Sequence, residues 1–165
     1  MGELVELDVR AVTRDDVAPF DAFFTATYPA LAGYCESLVG ADRADEVAQE
    51  AMTRVYARWP LLREPRPYVF RVATNVVRDE WRRTAREREL WAATAERRPA
   101  AAPDPEIWDL VHRLPERLRD VVLLHYLADL PVAEVATAVR RPVGTVKRRL
   151  HEARQALAIA LEDQS

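Results

Sequence analysis

Apolar residues along this chain recur at intervals of three and four and almost never alternate, a pattern that predicts helices and no strands. The first stripe runs through Phe20, Phe23, Phe24, Leu31, Tyr34, Cys35 and Leu38. Thr13, with Asp16 three residues on, has the form of an N-terminal cap to it. Pro29 lacks the N–H that the preceding turn needs, so it should kink that helix or split it. Gly40 supplies a stop and Asp42 a fresh cap. A second helix over 43–59 gathers Val47, Ala48, Ala51, Val55 and Trp59 on one side. Its other side carries Asp45, Glu46, Gln49, Glu50 and Thr53. A loop with prolines at 60, 65 and 67 leads to a long helix from Tyr68 to beyond Arg88, whose buried stripe is Val69, Val72, Ala73, Val76 and Val77. Between 94 and 105 the chain turns to Ala, Arg and Pro and the periodicity lapses, which marks a linker. Helices near Pro115–Leu127, Pro131–Val139 and Val143–Leu161 complete the pattern. The expected fold is therefore all-α: two small helical domains, 14–92 and 107–163, on a flexible linker over 93–106.

Length changes this picture little, since 165 residues suit one ordinary domain or two small ones. No apolar run approaches the ~20 residues that span a bilayer, and the acidic, Pro-containing start does not resemble a cleavable signal. A cytoplasmic protein without membrane insertion is expected. Cys35, the single cysteine, excludes an intramolecular disulfide and a cysteine-rich zinc site, and its place on an apolar stripe predicts a core thiol. His112, His125 and His151 are scattered without carboxylates at ligand spacing, so no metal is expected. With four glycines there is no phosphate-cradling loop, and no nucleophile-elbow pattern occurs either. These absences argue against an enzyme and against a bound cofactor.

Net charge is −3, which looks wrong for a nucleic-acid binder until it is partitioned. Residues 1–60 hold 5 basic against 11 acidic groups, 61–98 hold 10 against 6, 99–134 hold 3 against 7, and 135–165 hold 6 against 3. The chain alternates acidic, basic, acidic, basic. Screening over about 8 Å in physiological salt makes local surface matter more than the total. Two basic blocks with acidic surface between them fit a protein that touches DNA twice and a protein partner besides; the plainer alternative is charge scattered over solvated helices.

Three segments carry candidate chemistry. On the 43–59 helix, Asp45, Glu46, Gln49, Glu50 and Thr53 make a stripe whose carboxylates have few basic partners on the same helix, suited to a basic partner or simply to water. On the 67–88 helix, Arg71, Asn75, Arg78, Arg82, Arg83 and Arg86 are interleaved with Tyr68, Phe70 and Trp81. Arginines reach phosphates and aromatics hold unstacked bases, though the same aromatics could be core. In the last segment Val135, Ala136, Val139, Val146, Leu150, Ala153 and Leu157 are packing positions of a helix-turn-helix. Its second helix turns Thr145, Lys147, Arg148, His151 and Arg154 outward, as a major-groove reader does.

In this order and spacing the motifs resemble the sigma-70 family of bacterial transcription initiation factors, specifically the small extracytoplasmic-function (ECF) branch, from about residue 18 to 161. Ala44-Asp45-Glu46-Val47-Ala48-Gln49-Glu50 is similar to the segment that binds the clamp helices of RNA polymerase. Pro67-Tyr68-Val69-Phe70-Arg71-Val72-Ala73-Thr74-Asn75 through Arg83 is similar to the segment that melts and reads the −10 element. Leu114-Pro115 through Leu157 is similar to the domain that reads the −35 element. The resemblance implies core polymerase contacts at Asp45, Glu46, Gln49, Glu50 and Thr53. It implies −10 contacts at Arg63, Tyr68, Arg71, Asn75, Arg78, Arg82 and Arg83. For the −35 element it implies Thr145, Lys147, Arg148, Arg149, His151 and Arg154. Core RNA polymerase, promoter DNA and an anti-sigma factor are the partners it implies. The chain departs from the pattern at Arg140-Arg141-Pro142, where the turn usually has Gly and an apolar residue, at Arg148 for a small Ser, at Glu152 for a base, and at Glu46 for Asp. Arg140 must take a left-handed conformation, at about 1 kcal/mol, or reshape the turn. Two other classes compete: a stand-alone helix-turn-helix regulator that binds duplex DNA as a dimer, and an adaptor that binds polymerase but not DNA.

Overall fold

The computed structural model describes residues 14–90 and 104–165, with side chains over 19–87 and 104–165. Every regular element among the described residues is helical. Helix α1 (Arg14–Val39) keeps both Pro19 and Pro29 inside one continuous element, so Pro29 does not split it. Leu31, Tyr34, Cys35 and Leu38 on its inner face are buried. The proposed cap at Thr13 lies outside the described residues.

Gly40 breaks the chain with φ 85°, a value that costs glycine little because it has no Cβ. Helix α2 (Ala41–Arg58) starts directly after it, so Gly40 and not Asp42 occupies the cap position, and no side chain caps this end. Ala44, Val47, Ala48, Ala51, Met52 and Val55 line its buried face. Trp59 ends the helix half-buried within a 3-10 turn, Trp59–Leu61. There Phe20 and Phe23 meet its ring at centroid distances of 5.3 and 5.2 Å. Helix α3 (Pro65–Leu90) begins three residues before the Tyr68 expected from sequence. Pro65 and Pro67 fall in its first turn, where the missing N–H has no helical partner to lose. Val69, Phe70, Val72, Ala73, Val76 and Val77 close the core against α1 and α2. Tyr34 reaches across to share a 2.7 Å hydrogen bond with Thr74, so the buried hydroxyls are satisfied.

Residues 91–103, which include most of the expected linker 93–106, lie outside the described residues. Its end is helical: α4 (Pro105–Arg113) starts on Pro105, with Asp104 accepting from the Glu106 N–H at 2.9 Å. Proline reads as punctuation in a sequence, yet it is equally at home in a first helical turn after an Asp cap. Helix α5 (Glu116–Val122) continues into a π-helical turn, Leu123–Leu127, where the Ala128 N–H reaches back to Leu123. Helix α6 (Val132–Val139) and helix α7 (Val143–Asp163) form the helix-turn-helix. Val135, Ala136, Val146, Leu150 and Ala153 are buried between them and α5. The second group of helices sits against α3 through α6 and through Trp81, whose ring packs on Trp108 and His112 of α4 at 6.1 and 4.5 Å.

Candidate nucleic-acid interface

Three exposed faces hold most of the residues singled out from sequence. On α2, Asp45, Glu46, Gln49, Glu50 and Thr53 are all exposed and share one side, because Val47, Ala48, Ala51 and Val55 take the other. They are better partnered than the sequence suggested. Arg54 donates to Glu50 at 2.7 Å, and Arg43 lies 3.8 Å from Glu46 and bonds Glu80. Asp45 accepts from the Tyr28 hydroxyl and, at 2.9 Å, from Gln49. Thr53 donates to the Gln49 carbonyl at 2.8 Å. These pairs are solvent-exposed and worth at most about 1 kcal/mol each, so a protein partner can exchange them at small cost.

Helix α3 divides the residues assigned to it. Arg63 is exposed ahead of its first turn, and Tyr68 is half-buried with the Arg71 guanidinium 5.1 Å from its ring centre. Arg83 is exposed. Phe70, grouped from sequence with the base-holding aromatics, is wholly buried in edge contact with Tyr34 at 5.5 Å; it is a core residue. Trp81 is half-buried, and its neighbours are Trp108, His112 and, 5.5 Å from its ring, Arg119. Asn75, Arg78 and Arg82 are engaged within the chain. Arg78 donates to Asn75 at 2.7 Å and to Asp120 at 2.6 Å, and lies 3.1 Å from Glu116. Arg82 also bonds Glu116.

Helix α7 presents Lys147, Arg148, His151 and Arg154 to solvent, with Thr145 half-buried in its first turn. Arg149 is instead half-buried on the inner side. Arg154 donates to the Tyr126 hydroxyl at 3.0 Å. Arg140 takes the left-handed conformation, φ 54° and ψ 48°, as the turn required. Glu152 is paired with Arg117 of α5 at 2.9 Å, and that hydrogen bond holds its carboxyl below the usual range.

Between α3 and the second group lies a cleft of about 400 Å³ lined by, among others, Arg71, Asn75, Arg78, Asp120, Arg140 and Arg149. Burial, reinforced by the charge of Arg140, lowers the Arg71 pKa; burial, with Arg141 and Arg117 next, lowers that of Arg149. Burial pushes the Asp120 carboxyl up despite Arg78 and Arg119, and its Oδ1 is buried without a protein partner. Burial also opposes ionisation of Glu116, but the hydrogen bond from Arg82 and the charge of Arg78 outweigh it and the pKa falls. Glu116, Asp120 and Arg117, together with the Arg66–Glu134 pair, were not singled out from sequence. The only signal for them was the acidic balance of residues 99–134 next to a basic block. No group of three or more potential metal ligands occurs among the described residues.

Residues 23–87 match the family described as sigma-70 region 2, and residues 105–157 match sigma-70 region 4. The chain is similar to the ECF RNA polymerase sigma factor SigL of Mycobacterium tuberculosis, 30% identical over 79% of this chain and 81% of the relative. It is also similar to the ECF RNA polymerase sigma factor SigW of Bacillus subtilis, 25% identical over 99% of this chain and 100% of the relative. Among solved structures, CnrH in complex with the cytosolic domain of CnrY shares the fold at a TM-score of 0.63 and 22% identity, over 90% of this chain and 91% of that one. The sigma factor RpoE of Bartonella quintana, in complex with the anti-sigma factor NepR, shares it at 0.61 and 18%, over 87% and 97%.

Proposed function

The chain belongs to the ECF branch of the sigma-70 family, and from that premise we propose how its three faces divide the work of promoter-specific transcription initiation. It is an alternative sigma factor, a partner of core RNA polymerase and promoter DNA. We assign 14–92 to polymerase binding and −10 recognition, 93–106 to the linker, and 107–163, with the first turn of α4 ahead of it, to −35 recognition.

Core polymerase docks on the α2 face through Asp45, Glu46, Gln49, Glu50 and Thr53. What supports this is their shared exposure on a helix whose opposite side is fully committed to the core. The −10 strand runs along α3. Arg63, Arg71, Arg78, Arg82 and Arg83 meet phosphates, and Tyr68 and Asn75 hold an unstacked base. Extruding a base costs a few kcal/mol, which those contacts must offset in the melted state. Helix α7 enters the −35 major groove with Thr145, Lys147, Arg148, His151 and Arg154 forward and Arg149 at the edge. Glu152 meets neither base nor phosphate in this reading, because Arg117 already holds it. The protein contributes binding energy and no bond chemistry, and it acts in the cytoplasm with the polymerase. The relatives solved with anti-sigma factors support a regulator of that kind for this chain as well.

Equilibrium titration of the labelled full-length chain into purified core RNA polymerase tests the reading. Tight binding that Glu50→Arg abolishes is the expected result. Absence of binding by the unaltered chain would refute it and leave α6–α7 as an independent duplex-DNA reader.

A further inference from the structure

Six arginines line the cleft beside α3: Arg71, Arg78, Arg117, Arg140, Arg141 and Arg149. Two of them are matched within the chain, Arg78 by Glu116 and Asp120, and Arg117 by Glu152. Among the described residues, Arg71, Arg140, Arg141 and Arg149 form no ion pair. The Arg71 guanidinium lies over the Tyr68 ring, and its Nε is buried without a hydrogen-bond partner. Asn75 commits its carbonyl oxygen to Arg78, which leaves its amide N–H groups as donors at the cleft wall. Cations gathered away from water repel one another. The Arg71 pKa is lowered by burial and then by Arg140, that of Arg149 by burial and then by Arg141 and Arg117. Arg140 stands, moreover, at a left-handed position that glycine would occupy at less cost. The fold gains nothing from four unmatched guanidinium groups at one cleft; an anion between them would.

We propose that this cleft is a binding site for a small anion bearing a diphosphate, held by the guanidinium groups of Arg71, Arg140, Arg141 and Arg149 and by the Asn75 amide. A guanidinium presents its N–H donors as a planar fork that matches phosphate oxygens two at a time, and such charged hydrogen bonds are the strong ones. The cleft encloses about 400 Å³, within the range of roughly 300–1,000 Å³ that small-molecule sites occupy. Glu116 and Asp120 also line it, but Arg78 and Arg82 already hold them, so the cleft keeps a positive balance. The unpartnered Oδ1 of Asp120 is an unfavourable neighbour for phosphate, which favours a ligand held on the side of Arg71, Arg140 and Arg149. Arg71 and Arg149 are also assigned above to promoter DNA, so a bound anion and DNA would compete for them. Anion binding itself does not rest on that assignment.

Isothermal titration of inorganic pyrophosphate into the free full-length chain, without polymerase or DNA, tests the site. One equivalent is expected to bind with a dissociation constant below about 1 mM. The pair Arg140→Gly, Arg141→Ala should weaken binding at least about tenfold, the equivalent of losing one charge-assisted hydrogen bond. Both side chains are exposed, and glycine relieves the strain at position 140, so this pair keeps the fold. The control pair Lys147→Ala, Arg148→Ala removes the same charge from the outward face of α7 and should leave pyrophosphate affinity unchanged. A urea midpoint that rises with pyrophosphate in the unaltered chain but not in the cleft pair is the matching stability result. ADP is titrated alongside: tighter binding than pyrophosphate, still dependent on Arg140 and Arg141, supports a nucleotide ligand, and equal binding supports the free diphosphate. No binding of either by the unaltered chain overturns the proposal. Equal losses in the cleft pair and the α7 pair overturn it as well, since they would show a diffuse basic field instead of a site.

Discussion

Arg140 carries backbone strain, a side chain with a Cβ held at φ 54° between α6 and α7, a φ that Asp129 shares ahead of α6. The turn needs that conformation because the Arg141 N–H closes back on the Ala136 carbonyl at 3.1 Å, and Pro142 then starts α7. Glycine adopts it without the steric cost. Arg140→Gly is therefore expected to stabilise the fold by about 1 kcal/mol in urea denaturation, with relief of its repulsion toward Arg71 acting in the same direction. Phe70 makes the opposite case. Its ring is wholly buried against Tyr34, and Phe70→Ala should destabilise by about 3–5 kcal/mol through a cavity the neighbours cannot fill. A Phe70→Ala protein as stable as the unaltered one would show that the side chain is not a core residue. Cys35 is equally committed to packing: burial pushes its thiol pKa to about 12, which leaves it inert to alkylation in the folded chain. That Arg140 would either turn left-handed or reshape the turn was legible, because Arg140-Arg141-Pro142 leaves no residue without a Cβ there; only the structure decides for the left-handed form. That Phe70 faces inward and Tyr68 stays at the edge was not, since both interrupt the same valine stripe and only packing against Tyr34 separates them.

At the scale of elements, α2 and α7 each bury one face in the core and leave the other exposed, the face we assign to a partner. On α7, the outward Lys147 and Arg148 should contribute to −35 affinity through phosphate or base contacts. Lys147→Ala is expected to lower the slope of log affinity against log salt by about 1 in holoenzyme–promoter binding if it contacts a phosphate. An unchanged slope would remove Lys147 from the backbone contacts. Between α3 and α5 the pH response has a definite sign. The Glu116 pKa lies below its ordinary value in the folded chain. Its contribution to stability is therefore present above that ordinary value and is lost as pH falls through the folded one. Asp120 has the opposite sign, so total stability blurs the two. The stability advantage of the unaltered chain over Glu116→Gln should shrink as pH falls below the ordinary carboxylate value; an advantage independent of pH would mean the carboxylate is not ionised against Arg82. The helices themselves followed from periodicity. Their ends were harder to place, as α3 and α4 show, because proline terminates a helix and begins one with the same backbone geometry.

For the molecule as a whole, sequence alone determined that the chain is helical, which residues of most helices turn inward, which faces of α2, α3 and α7 carry the charge, and the order of motifs that places it among the sigma factors. All of these are periodic or local properties: a residue's side of a helix depends on neighbours three and four positions away. The tertiary structure joined the buried residues of both regions in one hydrophobic core and decided which charges remain available. Arg78 and Arg82 pair with residues 34 to 42 positions away, and Glu152 is neutralised by Arg117 from 35 positions away. No helical period connects such positions. The alternation of acidic and basic blocks announced that partners of opposite charge were needed, and two of those blocks find each other. The packing of α6 on α3, and of Trp81 on Trp108 and His112, brings α5 beside α3 and sets carboxylates against those arginines.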